Sequence, residues 1–239
     1  MNKNLVIIPT YNEINNIELI ISKIISLNID VDILVVDDSS PDKTFNKVEF
    51  LKENIPNLFL IINKKKSGIG KAYIKGFEFA IAKNYTKVIQ IDADMSHAPN
   101  DIVRLLKNSN SYDLVIGSRY INGIRIINWP LTRLALSYFA NLYAKIITGL
   151  PIYDCTAGYK CIDINLLKSI NLNKINSQGY SFQIEINYRA YIKNFKIKEI
   201  PIIFTDRTIG KSKMSKKIII EAIFIVPMLR LKKLLKLIK

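Results

Sequence analysis

The chain has 239 residues, 49% of them hydrophobic, enough to bury a sizeable core and too apolar for an intrinsically disordered segment. Its 35 Lys and Arg against 20 Asp and Glu leave a net charge of +15. That charge attracts polyanions such as nucleic acid, phosphate groups or anionic lipid, although a chain so rich in Ile, Lys and Asn also reaches it by composition alone. The first residues, MNKNLVIIPTYNE, carry an apolar run too short for a signal peptide, broken at Pro9. Cys155 and Cys161, six apart, fit neither a disulfide framework nor a zinc site, and point to reduced thiols in a cytosolic setting.

In chain order, Asn4–Ile8 reads as a short apolar strand, and Asn12–Leu27 shows helical spacing at Ile17, Ile20, Ile21, Ile24 and Ile25. Asp32–Val36 is a second strand, Asp42–Glu53 a helix, Leu58–Ile62 a third strand and Ala72–Lys83 a helix. Lys87–Ile91, helical Ile102–Lys107 and strand Leu114–Gly117 complete the first half. Nearly all-apolar strands alternating with helices predict an α/β fold, a mostly parallel sheet covered on both faces. Pro130 opens a helix over Leu131–Thr148. The loop PIYDCTAGYKC, helices Ile164–Ile170 and Phe182–Lys193, and strand Ile197–Phe204 follow.

Ligands in such sheets bind beyond the carboxyl ends of the strands. There the sequence places Pro9 to Glu13, Asp37-Asp38, Asp92 with Asp94, and Ser118-Arg119. Asp92 and Asp94 flank a small Ala93, and on a continued strand both side chains point to one side. Two carboxylates aimed at one point repel unless a cation lies between them, and Mg2+ or Mn2+ suits oxygen ligands completed by substrate phosphates. Ser96 can add an oxygen. Asp38 can accept hydrogen bonds from a nucleoside or cap the next helix, a task open to Asp42 as well. SGIGKA lacks the spacing of a Walker loop, so Gly68 and Gly70 indicate only a tight turn. Arg133 and Ser137, i and i+4, share a helix face.

The segments PTYNE, VVDDSSPD, KKKSGIGKAYIKGF, DADMSHAP and IGSRY resemble the family 2 glycosyltransferases of GT-A fold. NWPLTR, YDCTAGYK, QGYSFQIEINYRA and IPIIFTDRTIGKSKMS further resemble the polyprenol-phosphate mannosyltransferases within it, over about Leu5 to Glu221. The resemblance implies an inverting transfer of mannose from GDP-mannose to a polyprenyl monophosphate, dependent on Mg2+ or Mn2+. It implies that Pro9, Tyr11, Glu13, Asp38, Asp92, Ala93, Asp94, Arg119, Arg207 and Lys213 hold the nucleotide sugar. By the same resemblance Asp94 and Arg119 are catalytic, and Asp92, Asp94 and Ser96 are metal ligands. Arg119, Arg133 and Ser137 then take the lipid phosphate. A phosphate monoester is largely a dianion at neutral pH, so no protein base is expected and the lone His97 is expected to be structural.

Residues 1–214 are expected to form the catalytic domain and 215–239 a basic amphipathic segment. The run Ile218–Leu229 is too short to span a bilayer and carries Glu221 and Pro227. After Pro227, Leu229, Leu231, Leu234, Leu235 and Ile238 alternate with Arg230, Lys232, Lys233, Lys236 and Lys239, a pattern suited to an anionic membrane surface on the cytoplasmic face. The same pattern also suits a helix packed on the domain. Two rivals stand beside this reading. A polyprenyl-phosphate hexosyltransferase using a UDP-sugar keeps the paired acids and the acceptor cations. A basic nucleic-acid-binding module conflicts with acids converging at the strand edge.

Overall fold

Strands made almost wholly of Ile, Val and Leu need cover on both faces. The computed structural model, which describes residues 3–175, 177–207 and 216–235, provides it. Strands β1 (Asn4–Thr10), β2 (Val31–Asp37), β3 (Leu58–Ile62), β4 (Lys87–Gln90) and β5 (Leu114–Ser118) alternate with helices α1 (Ile17–Ile25), α2 (Thr44–Lys52), α3 (Ile69–Ala82) and α4 (Asp101–Asn108). The second half adds β6 (Ile126–Ile127), α5 (Leu131–Thr148), β7 (Lys160–Asp163), α6 (Ile164–Ser169), α7 (Gly179–Ile192), β8 (Ile197–Pro201), β9 (Phe204–Thr205) and α8 (Lys216–Leu234). Seven strands form one sheet in the order β3-β2-β1-β4-β7-β5-β8. Alternation along each strand divides the core: Leu5, Ile7, Leu34 and Val36 join one apolar cluster, Val6, Ile8, Ile33 and Val35 the other.

Three expectations change. The loop PIYDCTAGYKC ends in β7, which runs antiparallel between β4 and β5 and opposes Gln90 to Lys160. The strand expected over 197–204 divides. After Pro201 the chain leaves the large sheet, and Phe204-Thr205 pairs with β6 in a two-stranded ribbon. Finally, β4 stops at Gln90, so Asp92 and Asp94 lie in a turn and not on a continued strand.

Helix α8 also departs from the pattern, because it runs through Pro227. Proline has no N–H to give to the carbonyl one turn back. That carbonyl, Ile223 O, instead accepts a 2.8 Å bond from the Tyr143 hydroxyl of α5. Val226 and Leu229 are buried in the core, so α8 packs on the domain, while Ile223, Phe224, Leu231, Leu234 and Leu235 stay exposed. On α5, Leu131, Phe139 and Ile146 are exposed as well. Lys236, Ile238 and Lys239 lie outside the described residues. Among the described residues no helix is long and apolar enough to cross a membrane.

Candidate functional site

A cavity of about 540 Å3 opens at the carboxyl edge of the sheet, a size usual for small-molecule sites. Its wall includes Pro9, Tyr11, Glu13, Asp38, Asp92, Ala93, Asp94, Arg119, Arg133 and Arg207. Residues separated by up to 198 positions in the sequence are thereby brought to one space. Ser96 and Ser137 do not line it, and Lys213 lies outside the described residues.

Tight turns at the strand ends place the acids. Asn12, Ser39 and Met95 all adopt positive φ, a conformation most side chains avoid and one that clusters at functional sites. The turn at Met95, φ 62°, lets the Ser96 N–H donate to Asp94 Oδ1 at 3.1 Å. The other carboxylate oxygen, Asp94 Oδ2, meets the Arg207 guanidinium at 2.8 Å. Asp92 keeps 33% of its side-chain surface open. Burial pushes its carboxyl up, Asp94 adds to the shift, and His97 and Arg207 oppose it. Asp37 is structural: it accepts from the Thr10 hydroxyl and from the Ser40 N–H and hydroxyl. Asp38 accepts from Asn63 Nδ2 and from the N–H groups of Ser67 and Gly68, all at 2.7–2.8 Å. Each Asp38 oxygen takes two of these contacts, the Ser67 N–H being shared between them. The glycine loop thus wraps a carboxylate of the protein itself, and Asp42, not Asp38, accepts the Thr44 N–H at the start of α2.

Each of Arg119, Arg133 and Arg207 has a carboxylate partner. Arg119, 5% exposed, donates from its backbone N–H and Nε to Asp154 Oδ2 and from its terminal nitrogen to Asp154 Oδ1 and the Thr156 hydroxyl. Burial alone disfavours its charge, and the Asp154 carboxylate more than restores it. Arg133 bonds both oxygens of Asp206 at 2.8 and 2.9 Å and lies 4.1 Å from the centre of the Trp129 ring. Lys66 sits 3.8 Å over the Tyr11 ring.

The paired acids have the donors a hard divalent ion prefers. Ser96 Oγ is buried with no hydrogen-bond partner, which suits the expected third ligand, although Ser96 does not line the cavity. Among the described residues no group of three His, Cys, Asp or Glu is placed to hold a metal, so an ion here needs oxygens from substrate or water. His97 is buried between Tyr159 and Phe204, with ring centres 4.8 and 5.3 Å away. Its Nδ1 accepts the Asp92 N–H at 3.4 Å, and burial lowers its pKa, so the ring is neutral.

A second, apolar cavity of about 210 Å3 adjoins the first, sharing Trp129, Arg133, Thr156 and Tyr180 with it. Helices α5, α7 and α8 enclose it with Leu136, Phe139, Ile184 and Val226. Ser137 faces this space, and its hydroxyl accepts a 2.7 Å bond from Tyr120.

Residues 5–170 match the Glycosyl transferase family 2 domain. The chain belongs to that family. It is 42% identical over 224 residues to the polyprenol monophosphomannose synthase of Mycolicibacterium smegmatis, covering 93% of this chain and 84% of that protein. The undecaprenyl-phosphate mannosyltransferase of Micrococcus luteus is 39% identical over 219 residues, covering 92% and 90%. Among solved structures, glucosyl-3-phosphoglycerate synthase from Mycobacterium tuberculosis, in complex with Mn2+, UDP and glucosyl-3-phosphoglycerate, aligns at TM-score 0.69 and 17% identity, over 94% of this chain and 77% of that one, which shows a common fold.

In this glycosyltransferase the cavity also takes residues to which the sequence reading assigned no role: Lys66, Trp129, Thr156, Gln178, Tyr180 and Gln183. Trp129, the only tryptophan, and the YDCTAGYK and QGYSFQIE segments were available signals. The arginine partners Asp154 and Asp206 lie in the quoted segments YDCTAGYK and IPIIFTDRTIGKSKMS, but 35 and 73 positions from Arg119 and Arg133, so the pairing itself had no local signal.

Proposed function

We propose that this glycosyltransferase moves mannose from GDP-mannose to a polyprenyl monophosphate with inversion, giving polyprenyl-phosphate mannose and GDP. The observation that carries this reading is a cavity that gathers Asp92 and Asp94 with Arg119, Arg133 and Arg207 and is continued by an apolar space at Arg133. The relatives' names as polyprenol- and undecaprenyl-phosphate mannosyltransferases agree with it. Pro9, Tyr11, Glu13 and Asp38 hold the nucleoside; Asp92, Ala93 and Asp94 face the diphosphate and sugar, with Arg207 and Lys213 over the diphosphate. Asp92, Asp94 and Ser96 would hold Mg2+ or Mn2+, which would neutralise charge on the leaving diphosphate. Arg119 and Arg133 orient the acceptor phosphate, a planar guanidinium matching its oxygens. The Ser137 hydroxyl stands where the lipid enters the apolar space.

Catalysis then rests on positioning and on charge stabilisation. The acceptor's second pKa is near 6, so its oxygen attacks C1 as a dianion and no side chain takes a proton. Neutral, stacked His97 is a wall residue; a fall in the chemical step of more than about a hundredfold in His97→Ala, the scale of acid–base catalysis, would contradict this. The exposed apolar residues of α5 and α8, with Arg230, Lys232 and Lys233, lie against the cytoplasmic face of an anionic membrane. The full chain should transfer labelled mannose from GDP-mannose to a polyprenyl phosphate in anionic vesicles and stop when EDTA is added. Transfer from UDP-glucose instead would establish the hexosyltransferase reading.

A further inference from the structure

The C-terminal helix reaches the cavity wall through one carboxylate. Glu221 of α8 accepts the backbone N–H of Gln178 at 2.7 Å. Gln178 precedes α7 and lines the cavity. Its side-chain Oε1 accepts the N–H of Gly70 at 3.1 Å, in the first turn of α3, where helix N–H groups have no partner of their own. The two glycines there permit this approach. A Cβ on Gly70 would fall 2.6 Å from Ser177 O, and one on Gly68, at φ 92°, would fall 2.5 Å from Gln178 Oε1. The Ser67 and Gly68 N–H groups then hold Asp38. Ser177 is fixed from the other side, its hydroxyl bonded to Glu185, which pairs with Arg189.

A continuous series of hydrogen bonds thus runs from α8 through Gln178 and the glycine loop to Asp38. We infer that Glu221 is a positioning residue for the nucleoside side of the cavity and acts through Gln178. The ligand it serves is a nucleoside diphosphate, and the inference rests on the donor site proposed above. Glu221 touches no reacting atom, so its effect belongs in donor binding and not in the chemical step.

The test is titration of the full-length protein with GDP and MgCl2 by calorimetry, beside donor and acceptor kinetics. Glu221→Ala removes a charged hydrogen-bond acceptor and should weaken GDP about tenfold. Donor KM should rise by the same factor, with kcat and acceptor KM changed less than about twofold. Glu221→Gln retains an oxygen for the Gln178 N–H and should return GDP affinity to within about threefold of wild type. Gln178→Ala, which keeps the backbone N–H that Glu221 accepts and frees the Gly70 N–H, should weaken GDP by itself. Adding Glu221→Ala to it should then cost less than about threefold more, because coupled sites are not additive. If Glu221→Ala destabilises the fold, Gln178→Ala and Glu221→Gln still decide. Wild-type affinity in Gln178→Ala, no recovery in Glu221→Gln, or a loss confined to kcat overturns the inference. Failure of the wild type itself to bind GDP would instead remove the donor site.

Discussion

Around the cavity, Glu13, Asp38, Asp92 and Asp94 hang from the ends of parallel strands or the turns just beyond them. Arg119, Arg133 and Arg207 come instead from a strand end, a helix and the stretch after β9. The acids are short side chains whose place follows from topology. The arginines are long, and their place follows from Asp154, Asp206 and Asp94. A half-buried arginine without such a partner carries a desolvation cost that its fold must absorb. Under the proposed function the difference divides the labour: Glu13, Asp38 and Asp92 serve ligand binding, Asp154 and Asp206 serve the architecture that keeps cations in place, and Asp94, which also holds Arg207, serves both.

Asp94→Asn should therefore cut sugar transfer by on the order of a thousandfold. Its stability in urea should fall less than in Asp154→Ala, since Arg207 keeps 19% of its side-chain surface open and Arg119 only 6%. An equal or larger stability loss would erase the distinction between the two groups of carboxylates. Asp154→Ala should do the reverse first. It strands the buried Arg119 charge and should lower unfolding free energy by about 3–5 kcal/mol; a loss under about 1 kcal/mol would show that Arg119 does not depend on it.

Lys160 sharpens the contrast from within the core. It is fully buried, donates to Gln183 O at 3.1 Å and forms no ion pair among the described residues. Burial lowers its pKa to about 7. From there up to the unfolded value near 10.4, the unfolded chain binds one more proton than the folded one. Stability should accordingly rise with pH across that window by up to about 1.4 kcal/mol per unit, and fall again on acidification towards 7. Lys160→Met should flatten the curve. An unchanged slope in chemical denaturation across that range would assign the dependence elsewhere.

Much of the first half was legible because one physical rule, apolar strands covered on both faces, repeats five times with little interference. The second half breaks that rule. β7 is four residues long and puts a lysine into the sheet opposite Gln90, so nothing in its pattern marks a buried strand. Pro201 ends β8 while apolar residues continue through Phe204, so hydrophobicity alone cannot locate the break. The acids of the site stood out because paired carboxylates after a buried strand need an explanation. Gln178 and Asp154 lay in segments that stood out, but their roles did not, since a neutral amide and a lone acid acquire meaning only from partners distant in sequence.

The bond from Tyr143 to Ile223 has a consequence for how α8 opens. Since Pro227 gives no amide hydrogen to that carbonyl, the middle of the helix is completed from α5 and not from within. Amide protons on the two turns around Pro227 should therefore exchange with deuterated solvent at the rate of α5 rather than fray inward from the chain end. Tyr143→Phe, which leaves both helices their apolar packing, should release those protons earlier while leaving the exchange of the central strands unaltered. Equal exchange in the two proteins would mean that α8 holds its own shape.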